Sequence, residues 1–258
     1  MPVDEEAHFR RYADAIHAAR AAGTDTFQSW FNTSESIEES LRRGYWDFAL
    51  HILTPGVARR IADPGSLTAL EIGYGGGRLL NAAASFFGRA IGIDVHDEAE
   101  SVSALLADCG RRNVELHRTD GRGVPLPDET IDFVYSFIVL QHLPSLDAFQ
   151  RYVEETHRVL RPGGIAQLYF GKLAGRSPLR RVRETPAAPV NDVSLELSPR
   201  FAQRLCRKTG FAVVDRGVSH KNVPDGYPDA VGGQAYVTLV KERRANTTGS
   251  ATASATKP

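Results

Sequence analysis

Residues 70–80 read LEIGYGGGRLL, with four glycines (Gly73, Gly75, Gly76, Gly77) placed after an acid, Glu71, and before an apolar run. Glycines between a strand and a helix bring bare backbone up to a ligand. The helix N-terminus adds unpaired N–H groups and a partial positive charge. Asp94 stands nineteen residues after Gly75, at the end of IGIDVH. A carboxylate there can accept hydrogen bonds from both hydroxyls of a ribose. Asp120 and Gly121 follow in HRTDGRGVPLP, and His142 in VLQHL, where an imidazole can exchange a proton near neutral pH. Spacing and residue type thus point to a nucleoside held by acids beside a glycine turn. Each residue also has a plainer reading: the glycines as a tight turn, Asp94 as a helix cap, Asp120 as part of a DGRG turn.

Two common users of such a turn do not fit. The dinucleotide fingerprint GxGxxG, started at Gly73, requires glycine where Arg78 stands; started at Gly75, it requires glycine where Leu80 stands. No GKS or GKT follows, so a P-loop is excluded.

The elements that must position these residues alternate. Candidate strands at 67–73, 90–95, 113–119, 131–138 and 164–170 are separated by candidate helices at 77–87, 97–109 and 145–160. That rhythm predicts right-handed crossovers and an α/β fold with a doubly wound, mostly parallel sheet. In VLRPGG, Pro162 stops a helix and two glycines turn into the next strand. Apolar residues at helical spacing over 4–21 and 35–53 predict an N-terminal helical extension over 1–60. The main domain then spans 61–244 and ends in a helix at 199–210 and strands at 211–218 and 234–241. Residues 171–199, rich in Pro and Arg, read as a long loop or lid, and residues 245–258 as a disordered tail.

Basic and acidic residues both number 31, so no net charge draws the chain to nucleic acid or an anionic membrane. The cysteines, Cys109 and Cys206, have neither disulfide-framework nor metal-ligand spacing, and no metal site is indicated. The N-terminus has no apolar signal core and no run reaches the ~18 apolar residues of a membrane span, so the expected setting is cytoplasmic.

The pattern acid–x–Gly–x–Gly–x–Gly (Glu71, Gly73, Gly75, Gly77), with Asp94, Asp120, the Asp132 strand and VLRPGG in order, resembles the class I S-adenosylmethionine-dependent methyltransferases over roughly residues 60–241. The resemblance implies a seven-stranded sheet with an antiparallel last strand. It implies S-adenosylmethionine as cofactor and S-adenosylhomocysteine as product. Glu71, Gly73, Gly75 and Gly77 would then border the methionine part and Asp94 would hold the ribose. Asp120 would receive the adenine amine, with Gly121 leaving room beside the ring.

Methyl transfer from a sulfonium chiefly needs an aligned acceptor and exclusion of water, and a base only where the acceptor loses a proton. His142, just past the fourth strand, is the candidate base; its other reading is a packing or capping residue. FQSWF (27–31) and GYWDF (44–48) read either as a cover over the cofactor or as helix core. Lys172, Arg176, Arg180, Arg181 and Arg183 read as a grip on an anionic acceptor or as a solvated loop. YSFIVL replaces the Asn/Asp–Pro–Pro–aromatic motif of enzymes that methylate exocyclic amines, which argues against DNA. The expected activity is methylation of a small molecule or sugar, with oxygen preferred. An RNA methyltransferase and a non-catalytic S-adenosylmethionine- or nucleotide-binding protein are the alternatives.

Overall fold

The computed structural model describes residues 4–22, 36–175, 180–222 and 233–243. Strands β1 (Thr68–Ile72), β2 (Arg89–Asp94), β3 (Val114–Arg118), β4 (Ile131–Ser136) and β5 (Leu160–Lys172) run parallel in the order β3-β2-β1-β4-β5. The sheet continues with β9 (Ala235–Lys241), antiparallel to β5, and then β8 (Phe211–Val218), antiparallel to β9. These seven strands form the expected doubly wound sheet with its antiparallel end. The carboxyl ends of β1 and β4, on either side of the order reversal, make the crevice where such sheets bind ligands.

Both faces are covered because the strands are apolar on both. Leu70, Ile72, Ile93 and Val134 join Phe149 and Val153 of α6 (Leu146–Val159) and Cys206 of α7 (Pro199–Lys208). On the other face Ala69, Phe133 and Tyr135 meet Leu79 and Leu80 of α4 (Arg78–Phe86) and Val102 of α5 (Ala99–Asp108). Helix α6 starts sharply because Ser145 accepts the Ala148 N–H.

The N-terminal part holds α1 (Glu5–Ala21), α2 (Ile37–Asp47) and the short α3 (Pro55–Ala58). Ser36 and Glu39 form a capping box on α2. The helix expected over 35–53 closes in a π-turn, Phe48–Ile52, which leaves the His51 carbonyl to accept from Gln167 (3.2 Å) and the Tyr169 hydroxyl (2.9 Å).

Two expectations need correction. Residues 171–199 are not simply a loop: β5 runs on to Lys172, and β6 (Val182–Glu184) and β7 (Leu195–Leu197) pair antiparallel, with β7 added to the end of β5. The turn expected at VLRPGG lies inside β5, where Gly163 has φ 89° and the register with β4 shifts. GYWDF, read either as a cover or as helix core, is divided: Phe48 is fully buried in the core, while Trp46 is exposed. FQSWF, Arg176 and the tail lie outside the described residues. Among the described residues, no helix is long and apolar enough to cross a membrane.

Candidate active site

The glycine turn after β1 is shaped by its neighbours. Gly73 has φ 81°, and a Cβ on it would stand 2.3 Å from Val139 beyond β4. Only glycine lets the two loops approach so closely. Gly75 (φ 51°) donates its N–H to Asp94 Oδ2 at 2.8 Å. Asp94 Oδ1 accepts the N–H of Val95 at 2.7 Å. Each carboxylate oxygen has a second lone pair, so the group is fixed by backbone and still able to receive hydroxyls.

His96, which the sequence reading passed over, completes the turn. The Glu98 N–H points at its Nδ1 (3.1 Å), so the proton is on Nε2 and is donated to the Gly75 carbonyl (3.2 Å).

A cavity of about 460 Å³ opens over this turn. Glu71, Gly73, Gly75, Asp94 and His142 all line it. Gly77 does not: it is the left-handed N-cap of α4 and packs on Val102. Asp120 is exposed, accepts the Arg122 N–H at 2.9 Å and stands outside the wall. Gly121 is filled against by Phe9 of α1, whose ring a Cβ would meet at 2.4 Å. Thr119 lines the cavity in their place.

One end of the cavity is ionic. Arg43, Asp47, Glu71 and Arg78 converge there, and Arg78 pairs with the buried Asp47. Burial pushes the Glu71 carboxyl up to about 8, against the lowering effects of the Tyr135 hydroxyl that it accepts (3.0 Å) and of Arg78. Glu71 is therefore largely protonated at neutral pH in the free protein. Position alone could have suggested Arg78, the first residue of α4. Arg43 and Asp47 carry no local signal, because their role depends on how α2 docks on α4.

His142 lies where the post-β4 loop meets the β6–β7 hairpin. Its Nδ1 is 2.9 Å from the Asp192 carbonyl, which can only accept, so Nδ1 carries the proton. Nε2 faces the Gln141 amide nitrogen at 3.1 Å. Burial, followed by the nearby charges of Arg11 and His8, lowers the His142 pKa; the Asp192 carbonyl and carboxylate oppose this. Helix α1 closes the cavity with Phe9 and Tyr12. It is tied down by His8 Nε2 to the His142 carbonyl (2.8 Å) and by Arg11 to the carbonyl of Ala188 (2.6 Å). Of the basic residues read as an anion grip, Arg183 is paired with Glu196, and Arg180 and Arg181 are exposed; none of the described ones lines the cavity.

Comparison with known proteins agrees with this geometry. A protein-family model described as a methyltransferase domain matches residues 70–168. A probable S-adenosylmethionine-dependent methyltransferase of Mycolicibacterium smegmatis is 33% identical over 177 residues, covering 68% of this chain and 63% of that protein. A ubiquinone biosynthesis O-methyltransferase of Mesorhizobium japonicum is 30% identical over 99 residues, 38% of this chain and 39% of that one. The chain thus spans less than two thirds of the length of each. The solved structure of Burkholderia thailandensis 1,6-didemethyltoxoflavin-N1-methyltransferase, with its substrate and S-adenosylhomocysteine bound, superposes with a TM-score of 0.61 over 94% of this chain and 92% of that one, at 18% identity. With the sheet order and the glycine turn, these matches establish that the chain belongs to the class I S-adenosylmethionine-dependent methyltransferases.

Proposed function

We propose that this protein transfers the methyl group of S-adenosylmethionine to a hydroxyl of a small molecule or sugar. The observation that carries the reading is the cavity's polarity. Charged groups (Arg43, Asp47, Arg78) beside the Glu71 carboxyl suit an amino acid's ammonium and carboxylate, and Asp94 on the same cavity suits a ribose. The cofactor supplies an electrophilic methyl on a sulfonium. Glu71 and the arginines hold its methionine end, with Gly73 and Gly75 against the chain between; Asp94 takes the ribose hydroxyls. The adenine lies toward Val95, Thr119 and Tyr152, and Asp120 at the rim reaches its amine by releasing the Arg122 N–H. Gly121 gives room to Phe9, which then borders the ring, and Gly77 acts through the α4 N-terminus.

In this reading α1 and the hairpin loop 185–194 cover the acceptor side and exclude water. A cover that close favours a small acceptor over RNA. Oxygen is preferred because His142, with Nδ1 fixed as the donor, keeps a basic Nε2 that a hydroxyl reaches by displacing the Gln141 amide. A cytosolic setting suits the two free cysteines, Cys109 and Cys206.

The test is calorimetric titration with S-adenosylmethionine and S-adenosylhomocysteine, with NAD and NADP as controls, followed by a methyl-transfer screen over hydroxyl, amine and RNA acceptors. Binding of the first pair with transfer to small hydroxyl compounds is expected. Binding without transfer to any acceptor would favour a non-catalytic role, and preference for a dinucleotide would overturn the site.

A further inference from the structure

Behind His142 lies a chain of hydrogen bonds that leads away from the cavity. Gln234, just before β9, donates from Nε2 to Gln141 Oε1 at 2.6 Å. Gln141 turns its Nε2 to His142 Nε2, and His142 donates from Nδ1 to the Asp192 carbonyl. Both glutamines are buried, Gln234 to 3% and Gln141 to 8% exposure. The far end is unfinished: Gln234 Oε1 is buried with no partner among the described residues. A buried amide oxygen left unpaired is costly, and one that persists calls for an explanation.

We propose that Gln141 and Gln234 form an amide relay that reverses direction when His142 takes up a proton. The Asp192 carbonyl is an acceptor in every protonation state, so Nδ1 always carries a hydrogen. In neutral His142 the Nε2 lone pair accepts the Gln141 N–H, as observed. In the imidazolium Nε2 bears a hydrogen, and a Gln141 N–H facing it would clash. Gln141 must then present Oε1, which turns its N–H groups toward Gln234. Gln234 satisfies them only by flipping as well and offering Oε1, the atom that is now unpaired. The chain thus has two directions, one for each charge state of the ring, and in each it is satisfied from Gln234 to His142. An amide differs little in shape between the two, so the reversal needs no backbone movement.

The relay's part in turnover rests on the reading of His142 as the acceptor's base. A hydroxyl must displace the Gln141 N–H to reach Nε2. Its proton then forms the Nε2–H bond, while the electron pair left on oxygen forms the bond to the methyl carbon. The sulfonium becomes a neutral thioether, and the positive charge resides on His142. The returning Gln141 then meets Nε2–H with its oxygen. Gln141 and Gln234 are positioning residues: neither transfers the proton, but together they accommodate a cation that burial, Arg11 and His8 all disfavour and Asp192 alone favours by charge.

The relay is tested on the cofactor-free, ¹⁵N-labelled full chain by following the His142 ring and the two side-chain amides through a pH titration. The amides of both Gln141 and Gln234 should shift with the His142 midpoint, although Gln234 does not touch the ring. In Gln141→Leu the Gln234 amide should no longer follow, and the His142 midpoint should fall by about one pH unit, the loss of one hydrogen bond to a charged group. Gln141→Glu, which keeps the shape and fixes an acceptor at Nε2, should raise the midpoint above that of the wild type. A Gln234 amide indifferent to His142 titration, or a midpoint unchanged in both variants, would overturn the relay. These readings need no turnover. If His142→Ala methylates normally while the amides still titrate with the ring in the wild type, the base reading fails and the relay stands.

Discussion

The Gly75 N–H lies 2.8 Å from Asp94 Oδ2, so the acid at the end of β2 is bound to the glycine turn at the end of β1. Asp94 and the glycine turn, the proposed ribose and methionine sites, are one hydrogen-bonded unit, which His96 closes by holding the Gly75 carbonyl. Asp94→Ala should therefore injure both halves of the cofactor site. Affinity for S-adenosylhomocysteine should fall by about 1–3 kcal/mol, the scale of a lost charged hydrogen-bond partner. Calorimetry checks this, and an unchanged affinity would remove the ribose assignment. Gly75→Val should be worse, since it also forces a β-branched residue to φ 51°.

Glu71 makes stability depend on pH. Its carboxyl is raised to about 8 in the fold, mainly by burial, against an ordinary 4.5 in the unfolded chain. Between those values the folded chain binds more protons than the unfolded one. Stability from this group is thus greatest below about pH 4.5 and is lost as pH rises toward 8. Glu71→Gln keeps the hydrogen-bonding shape and removes the titration. Thermal unfolding of the cofactor-free variant should show a smaller fall in Tm between pH 5 and pH 8.5, with a gain at the upper end on the order of 1–3 kcal/mol. Parallel wild-type and variant curves would show that Glu71 is ionised throughout.

The parts of the site that could be read from the chain are those that strand order places without help. Gly73, Gly75, Asp94 and His142 follow strands whose apolar runs are unambiguous, and a parallel sheet brings such ends together automatically. Strand order does not bring Gly77 or Asp120 to the cavity wall: Gly77 serves α4, and the DGRG turn keeps the Asp120 carboxylate on local backbone. Arg43, Asp47, Phe9 and Tyr12 reach the cavity only through helix docking, which is decided by packing across long sequence separations. The β6–β7 pair was hidden because three-residue strands give no periodicity, and Arg183, grouped by composition with an anion grip or a solvated loop, pairs with Glu196 across it.

His142→Ala should lower turnover by roughly 10²–10⁴-fold, the usual worth of general acid–base catalysis, while cofactor affinity stays near normal. Because the pKa of His142 is lowered, its neutral form already predominates at pH 6.5. The wild-type rate should rise with pH through that lowered pKa, with the midpoint of the rise below 6.5. A kcat/KM profile with no acid limb, or an Ala variant with unaltered turnover, would assign His142 to packing.

Arg11 fastens the cover. From α1 it donates to the carbonyls of Pro186 (3.4 Å) and Ala188 (2.6 Å) and to the Ser194 hydroxyl (3.4 Å), spanning the hairpin loop that also holds His142 through Asp192. Arg11→Ala removes these bonds and spares the glycine turn and Asp94. A loosened cover admits water and blurs the acceptor's position, so KM for the acceptor should rise by an amount equivalent to about 1–3 kcal/mol, while S-adenosylhomocysteine binds nearly as before. Hydrogen exchange should report faster opening of residues 185–194 and of α1, with β1 and β4 unaffected. Arg11 also disfavours the charged ring of His142, so its removal should move the acid limb of the rate profile to higher pH. A change in KM without that displacement would place Arg11 in the cover alone; the displacement without a change in KM would place it in the electrostatics of His142 alone.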